Sequence, residues 1–198
     1  GGTVDISSLL WTIGTPGDGY AATVSVGGLT SSDGVSGWLR SSGGAGMSTL
    51  ILTNSTRQAA AMTYGYADTE SSLNITMRAS DAKNGYQILR FRPGAYDATD
   101  ANLGEVIVDS GRLDIGMRTG MTGNRLSLVG TQAVFSATAS DSGNIGTVTF
   151  NEGEWYAGKI AVDIEGELAY DKIVFNGRFD KTGSDRDMGF EFLSLIHI

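Results

Sequence analysis

Apolar and polar residues alternate most clearly between Ile145 and Phe179, in three runs separated by turn residues. Val148 and Phe150 share one face, with Thr147 and Thr149 on the other. Ile160, Val162, Ile164 and Leu168 oppose Lys159, Asp163, Glu165 and Glu167, and Ile173, Phe175 and Phe179 oppose Lys172, Asn176 and Arg178. A period of two marks strands with one buried face and one wet face. Gly153, Gly158, Gly166 and Gly177 punctuate the runs as turns or bulges. Connections this short leave no room for a crossover helix, so neighbouring strands are expected to run antiparallel. No apolar stripe at helical spacing survives the glycines.

The same texture extends through the chain. Leu9, Trp11 and Ile13 alternate, then Tyr20, Ala22, Val24 and Val26; Val35–Arg40 and Leu50–Leu52 read as short strands. Residues 57–64 are ambiguous: Gln58–Met62 has helix propensity, while Gly65 and the tyrosines Tyr64 and Tyr66 suggest a strand. Leu73, Ile75 and Met77 alternate against Asn74, Thr76 and Arg78; with Asp81–Gly85 as the turn and Tyr86–Arg92 returning, this reads as a hairpin. Further short runs follow at Val106–Asp109, Leu113–Met117, Leu126–Leu128 and Ala133–Ala137. About a dozen short strands with turn signals every 8–12 residues suit sandwiches and barrels, and no internal repeat of constant period is visible. The expected fold is all-β, a single antiparallel β-sandwich of jelly-roll type over residues 1–192. Two small Ig-like sandwiches meeting near Ala95–Gly104, the longest non-periodic polar stretch, are the alternative.

Composition narrows the chemistry. The chain has 198 residues with 29 Gly and 2 Pro, which fits a many-turned β protein rather than collagen or disorder. Net charge is −8, and no cluster of Lys and Arg tracks a phosphate backbone, so nucleic acid is not an expected partner. No apolar run approaches a membrane span. There is no Cys, which removes disulfides, thiolate catalysis and zinc–thiolate sites. Asn54-Ser55-Thr56 and Asn74-Ile75-Thr76 match the glycosylation triplet. The only histidine is His197, in the closing segment Leu193–Ile198. That segment, LSLIHI, resembles the translation of a sequencing adapter of the kind found at the ends of metagenomic reading frames, and is read as an artefact; a genuine final strand is the alternative. Either way no Ser-His-Asp triad or His-ligated metal is supported.

Three constellations carry possible chemistry. Asp163, Glu165 and Glu167 fall on one face of one expected strand, a geometry two-carboxylate glycosidases use. The run resembles part of the E-x-D-x-E motif of laminarinase-type glycoside hydrolases, which are also jelly rolls. It departs from that motif: aligning Asp163 and Glu165 on the last two acids puts Ala161 where the nucleophile belongs. The plainer reading is the solvated face of a strand. Asp97, Asp100, Asn102 and Glu105 form an oxygen-rich loop that suits calcium, without EF-hand order. Trp155, Tyr156, Tyr64 and Tyr66 are candidates for sugar stacking, with core packing as the competing role. Of the adjacent pair Trp155–Tyr156, one ring should point inward and the other outward.

The sequence is therefore read as a non-catalytic exported module, secreted, periplasmic or on the cell surface, used for binding, adhesion or surface structure. Carbohydrate is the first ligand class, with another protein as the other possible partner and no cofactor beyond the calcium candidate. The alternatives are a glycosidase using the carboxylates, and a self-assembling capsid, fibre or pilus-like component.

Overall fold

The alternating runs do form strands, but most strands adjacent in sequence lie in different sheets. The computed structural model describes residues 2–14, 20–32, 37–41, 47–64, 71–92, 101–140, 145–166, 169–184 and 187–192. The strands are β1 (Thr3–Asp5), β2 (Leu10–Ile13), β3 (Thr23–Val26), β4 (Gly28–Thr30), β5 (Gly37–Ser41), β6 (Ser48–Leu52), β7 (Arg57–Tyr64), β8 (Ser71–Arg78), β9 (Tyr86–Arg92) and β10 (Ala101–Gly116). They continue as β11 (Gly123–Leu128), β12 (Ala133–Ala137), β13 (Thr147–Trp155), β14 (Gly158–Val162), β15 (Ile164–Gly166), β16 (Ala169–Tyr170), β17 (Lys172–Phe175), β18 (Phe179–Lys181) and β19 (Met188–Phe192).

The pairing overturns the antiparallel sandwich. Among the described residues every ladder but one is parallel, and the chain winds as a parallel β-solenoid of about six turns. One sheet stacks β2, β5, β7, β9, the second half of β10, β12, β14 and β19. The other stacks β3, β6, β8, the first half of β10, β11, β13 and then β17 and β18. We call these the first and second sheets. β8 and β9, read as a hairpin, lie in different sheets, and the meander at 145–179 is divided between them. The ambiguous segment is strand β7. Short links do not force antiparallel pairing here, for a geometric reason. In a solenoid the short link joins strands of different sheets, and the parallel partner arrives one full turn later, so no crossover helix is needed.

Within most strands the face assignments hold; Phe179 on β18, expected inward, is an exception and is exposed. Val148, Phe150, Leu113, Ile115, Leu126, Leu128, Ala133, Phe135 and Ala137 are all buried. Both inward faces contribute to one core cluster. Its columns follow the register: Val24, Leu50, Ile75, Val106, Leu126, Gly153 and Phe179 stack in successive turns. Where a column carries glycine, a neighbouring ring takes the volume. A Cβ on Gly153 would lie 2.5 Å from Phe175 and 2.6 Å from Phe179.

Strand β10 is shared by both sheets and turns the corner between them at Ser110–Gly111. Gly111 has φ +79°, and a Cβ there would lie 2.5 Å from the Ala79 Cβ and 2.6 Å from the Gly85 carbonyl oxygen. Gly158 sits at the same corner later in the chain, with φ +85° and the Gly130 and Ala133 carbonyls beneath it. These close backbone approaches, repeated turn after turn, account for part of the high glycine content.

Near the first turns, the core holds a polar cluster. Gln87 is fully buried; its Oε1 accepts from Leu29 N (2.9 Å) and Asn54 Nδ2 (3.0 Å), and its Nε2 donates to the carbonyls of Leu29 and Ile88 (3.0 Å each). Asn54 also donates to Tyr86 O at 3.1 Å. The Gln87 amide is fully paired and ties β4 to β9, whereas the buried Asn54 Oδ1 has no hydrogen-bond partner among the described residues. Asn54 is thus held inside the fold, and Asn74 accepts from Glu105 N at 2.8 Å. The two glycosylation triplets belong to structured, hydrogen-bonded asparagines.

Candidate functional site

The outer face of the first sheet is where charged groups converge. Strand alternation puts Leu89 and Phe91 in the core and turns Tyr86, Ile88, Arg90 and Arg92 of β9 outward. Register then sets Ile88 beside Asp114 and Asp114 beside Ser136 on successive strands. The outward residues Tyr86, Ile88 and Arg90 floor a polar cleft of about 290 Å³, lined also by Arg57, Arg112, Asp114, Ser136, Thr138, Asp163 and Asp171; Arg92 continues the same face of β9 just outside that lining. A larger hollow of about 420 Å³ at Met117–Met121 and Ile145–Thr149 has Arg118 as the only charged residue of its lining among the described residues.

At one end of the cleft is a closed ionic cluster. The Arg112 guanidinium forks onto Asp114, Nε to Oδ1 at 2.8 Å and Nη2 to Oδ2 at 3.0 Å. The Tyr86 hydroxyl donates to Asp114 Oδ2. The Tyr86 ring lies between two cations, Arg112 at 4.7 Å and Arg57 at 5.4 Å from its centroid. Burial, reinforced by the Asp114 charge, pushes the Tyr86 hydroxyl up. Burial acts to lower Arg112, but the hydrogen bond and charge of Asp114 outweigh it and hold Arg112 above its ordinary value. Because cations cover both faces of Tyr86, its ring offers no open stacking surface.

The far wall is the excursion from Asp163 to Asp171, which carries the antiparallel pair β15–β16. Asp171 anchors it. Its carboxylate accepts from Asp163 N (2.9 Å), Gly146 N (3.0 Å) and Ser136 Oγ (3.4 Å), and its own N–H donates to Asp163 O (2.9 Å). Burial pushes the Asp171 carboxyl up, and the nearby Asp163 charge adds to this, against the lowering effect of the two backbone donors. Arg90 enters from the cleft floor. Its register neighbours are Ala61 and Gly116, neither of which has a side-chain acceptor. The buried Nε atoms of Arg90 and of Arg92 have no hydrogen-bond partner among the described residues.

The residues singled out in sequence are dispersed. Asp163 lines the cleft, but it stands between β14 and β15 rather than on one strand with Glu165, which is exposed at the hairpin; Glu167 lies outside the described residues. Trp155 is buried, with its indole N–H donating to Gly158 O at 3.3 Å. Its neighbour Tyr156 faces outward and donates to Glu154 at 2.8 Å, as the alternation argument required. Tyr64 is buried against Phe91, and its hydroxyl donates to Asn102 O at 3.2 Å. Tyr66, Asp97 and Asp100 lie outside the described residues. Asn102 and Glu105 sit on β10 rather than in a loop; Asn102 Oδ1 accepts from Thr122 N and Oγ1, and Glu105 from Ser127 Oγ. No group of three potential metal-ligating side chains occurs among the described residues. The sequence reading missed the arginine and tyrosine residues of the cleft. Arg57, Tyr86 and Arg112 come from three turns, and only the ladder register brings them together.

No protein-family model matches this chain, and no curated protein or solved structure is significantly similar to it. No helix among the described residues is long and apolar enough to cross a membrane.

Proposed function

We propose that the chain is a binding and adhesion module of the β-solenoid class that holds carbohydrate in the cleft on the outer face of its first sheet. The observation that carries this reading is the lining itself. Guanidinium donors, carboxylate acceptors and Ser/Thr hydroxyls share one small concavity on a floor of paired strands. A polyhydroxyl ligand presents donors and acceptors at every ring, and a rigid surface that presents both is suited to it. Recognition would rest on hydrogen bonds rather than stacking, since Trp155 and Tyr64 serve the core and Tyr86 is covered on both faces.

Calorimetric titration of the intact chain with a panel of oligosaccharides tests the reading. At least one should bind, and Asp163→Ala and Arg57→Ala, at the cleft wall and rim, should each weaken it by about tenfold, roughly 1.4 kcal/mol. A panel with no binder, or variants that bind like the parent, would refute the assignment. The same mixtures assayed for new reducing ends decide the alternative of a glycosidase. Release of new ends that disappears in Asp163→Asn would move the protein to that class.

A further inference from the structure

We infer that the ligand carries an anionic group, a carboxylate or sulfate ester, and that Arg90 and Arg92 receive it. The inference rests on the carbohydrate reading of the cleft and adds the charge of the glycan to it. Among the described residues, Arg78, Arg112, Arg125 and Arg178 each pair with a carboxylate. Arg90 and Arg92 pair with none. Yet the chain has 22 Asp and Glu against 14 Lys and Arg, so acidic partners are in surplus. A buried donor without an acceptor costs about 1–3 kcal/mol, and more when it is charged. Native structures keep few such groups, and a site awaiting a ligand is one reason to keep them.

The surroundings leave room for that ligand. Arg90 is flanked in the ladder by Ala61 and Gly116, and Arg92 by Thr63, so no long side chain crowds either guanidinium from the preceding turn. The two stand two residues apart on one face of β9, about 6.6 Å along the strand. Each planar fork matches the paired oxygens of a carboxylate or sulfate better than a lone hydroxyl, which engages one donor, and two forks on one face add to that preference. The carboxylates of Asp114, Asp163 and Asp171 across the cleft disfavour a polyphosphate but leave a singly charged group over the arginines tolerable.

The test titrates the intact chain with tetragalacturonate, with a sulfated galacto-oligosaccharide free of uronate, and with cellotetraose as a neutral oligomer for comparison. An acidic oligomer should bind at least tenfold tighter than cellotetraose and should weaken as NaCl is raised. Preference between the two acidic probes identifies the anion as carboxylate or sulfate. Arg90→Gln and Arg92→Gln should abolish the acidic preference, weakening the acidic oligomer by a larger factor than cellotetraose, with the far-UV spectrum unchanged. In the ligand-free chain, Arg90→Met should raise the unfolding midpoint, because it removes a buried, unpartnered Nε–H donor; a purely structural arginine would lower it. Cellotetraose binding as tightly as both acidic probes overturns this inference alone. Failure of all three probes to bind overturns the carbohydrate reading with it.

Discussion

Asp171 shows how much of the site hangs on one side chain. It ties Asp163, Gly146 and Ser136 together, and so fixes the wall of the cleft against its floor. Its carboxyl is raised above the ordinary 3.8 because burial disfavours the charge. A raised folded-state value means that the native protein holds this proton more tightly than the unfolded chain does. The contribution is therefore fully present below the unfolded value and is lost as pH rises through the folded one. Asp81 behaves oppositely. It accepts from Lys83 N, Asn84 N and Asn84 Nδ2, and the Asn84 side chain is the largest cause of its lowered carboxyl. Its contribution is present above the unfolded value and lost as pH falls through the folded one. Urea unfolding should show this directly. The stability of the parent relative to Asp171→Asn should decline as pH is raised from about 4, whereas that relative to Asp81→Ala should decline as pH is lowered below it. A flat difference for Asp171 would mean that its charge is already fully compensated.

At the scale of the element, β10 is the piece on which the two sheets depend. Its first half pairs with β8 and β11, its second with β9 and β12, and the bend between them needs a left-handed residue at Gly111. Gly120 offers an internal control. It too has positive φ, +84°, but a Cβ there would meet nothing within 4 Å. Gly120→Ala should cost only the conformational penalty, about 1–2 kcal/mol. Gly111→Ala should cost distinctly more, because its Cβ would press on the Gly85 carbonyl and the Ala79 side chain. Equal losses in denaturant unfolding would show that the corner relaxes and that β10 can bend without this contact. The strands themselves were legible in sequence because burial on one face leaves a period of two whatever the partner. Their direction was not, since alternation is the same in parallel and antiparallel ladders.

For the whole molecule, the solenoid is nearly one-dimensional: each strand pairs with those of the turns before and after it. Stability in such an array is the sum of each turn and its interfaces, and opening starts at the ends. Amide exchange should therefore be slowest in β8 to β12 and faster toward β2, β3 and β19, with the β15–β16 excursion fastest among the paired strands. Uniform protection would indicate an all-or-none domain instead. The turn length explains why no repeat was visible. The column Val24, Leu50, Ile75, Val106, Leu126, Gly153, Phe179 advances by 26, 25, 31, 20, 27 and 26 residues. Corners and excursions absorb the differences, so the turns stack in register while the sequence loses its period.

What the sequence determined by itself was local. Hydrophobic alternation set which residues are strands and which face is buried, because a side chain's side of a strand follows from its parity alone. Composition set the all-β class and removed cysteine chemistry. The tertiary structure decided the rest: parallel winding, the sharing of β10 between sheets, and the company that Arg57, Tyr86, Arg90, Arg112, Asp163 and Asp171 keep. Those residues come from five segments spread over more than a hundred positions, and no local pattern records their meeting. Their proximity is set by ladder register across turns of unequal length, a quantity that exists only once the chain has wound.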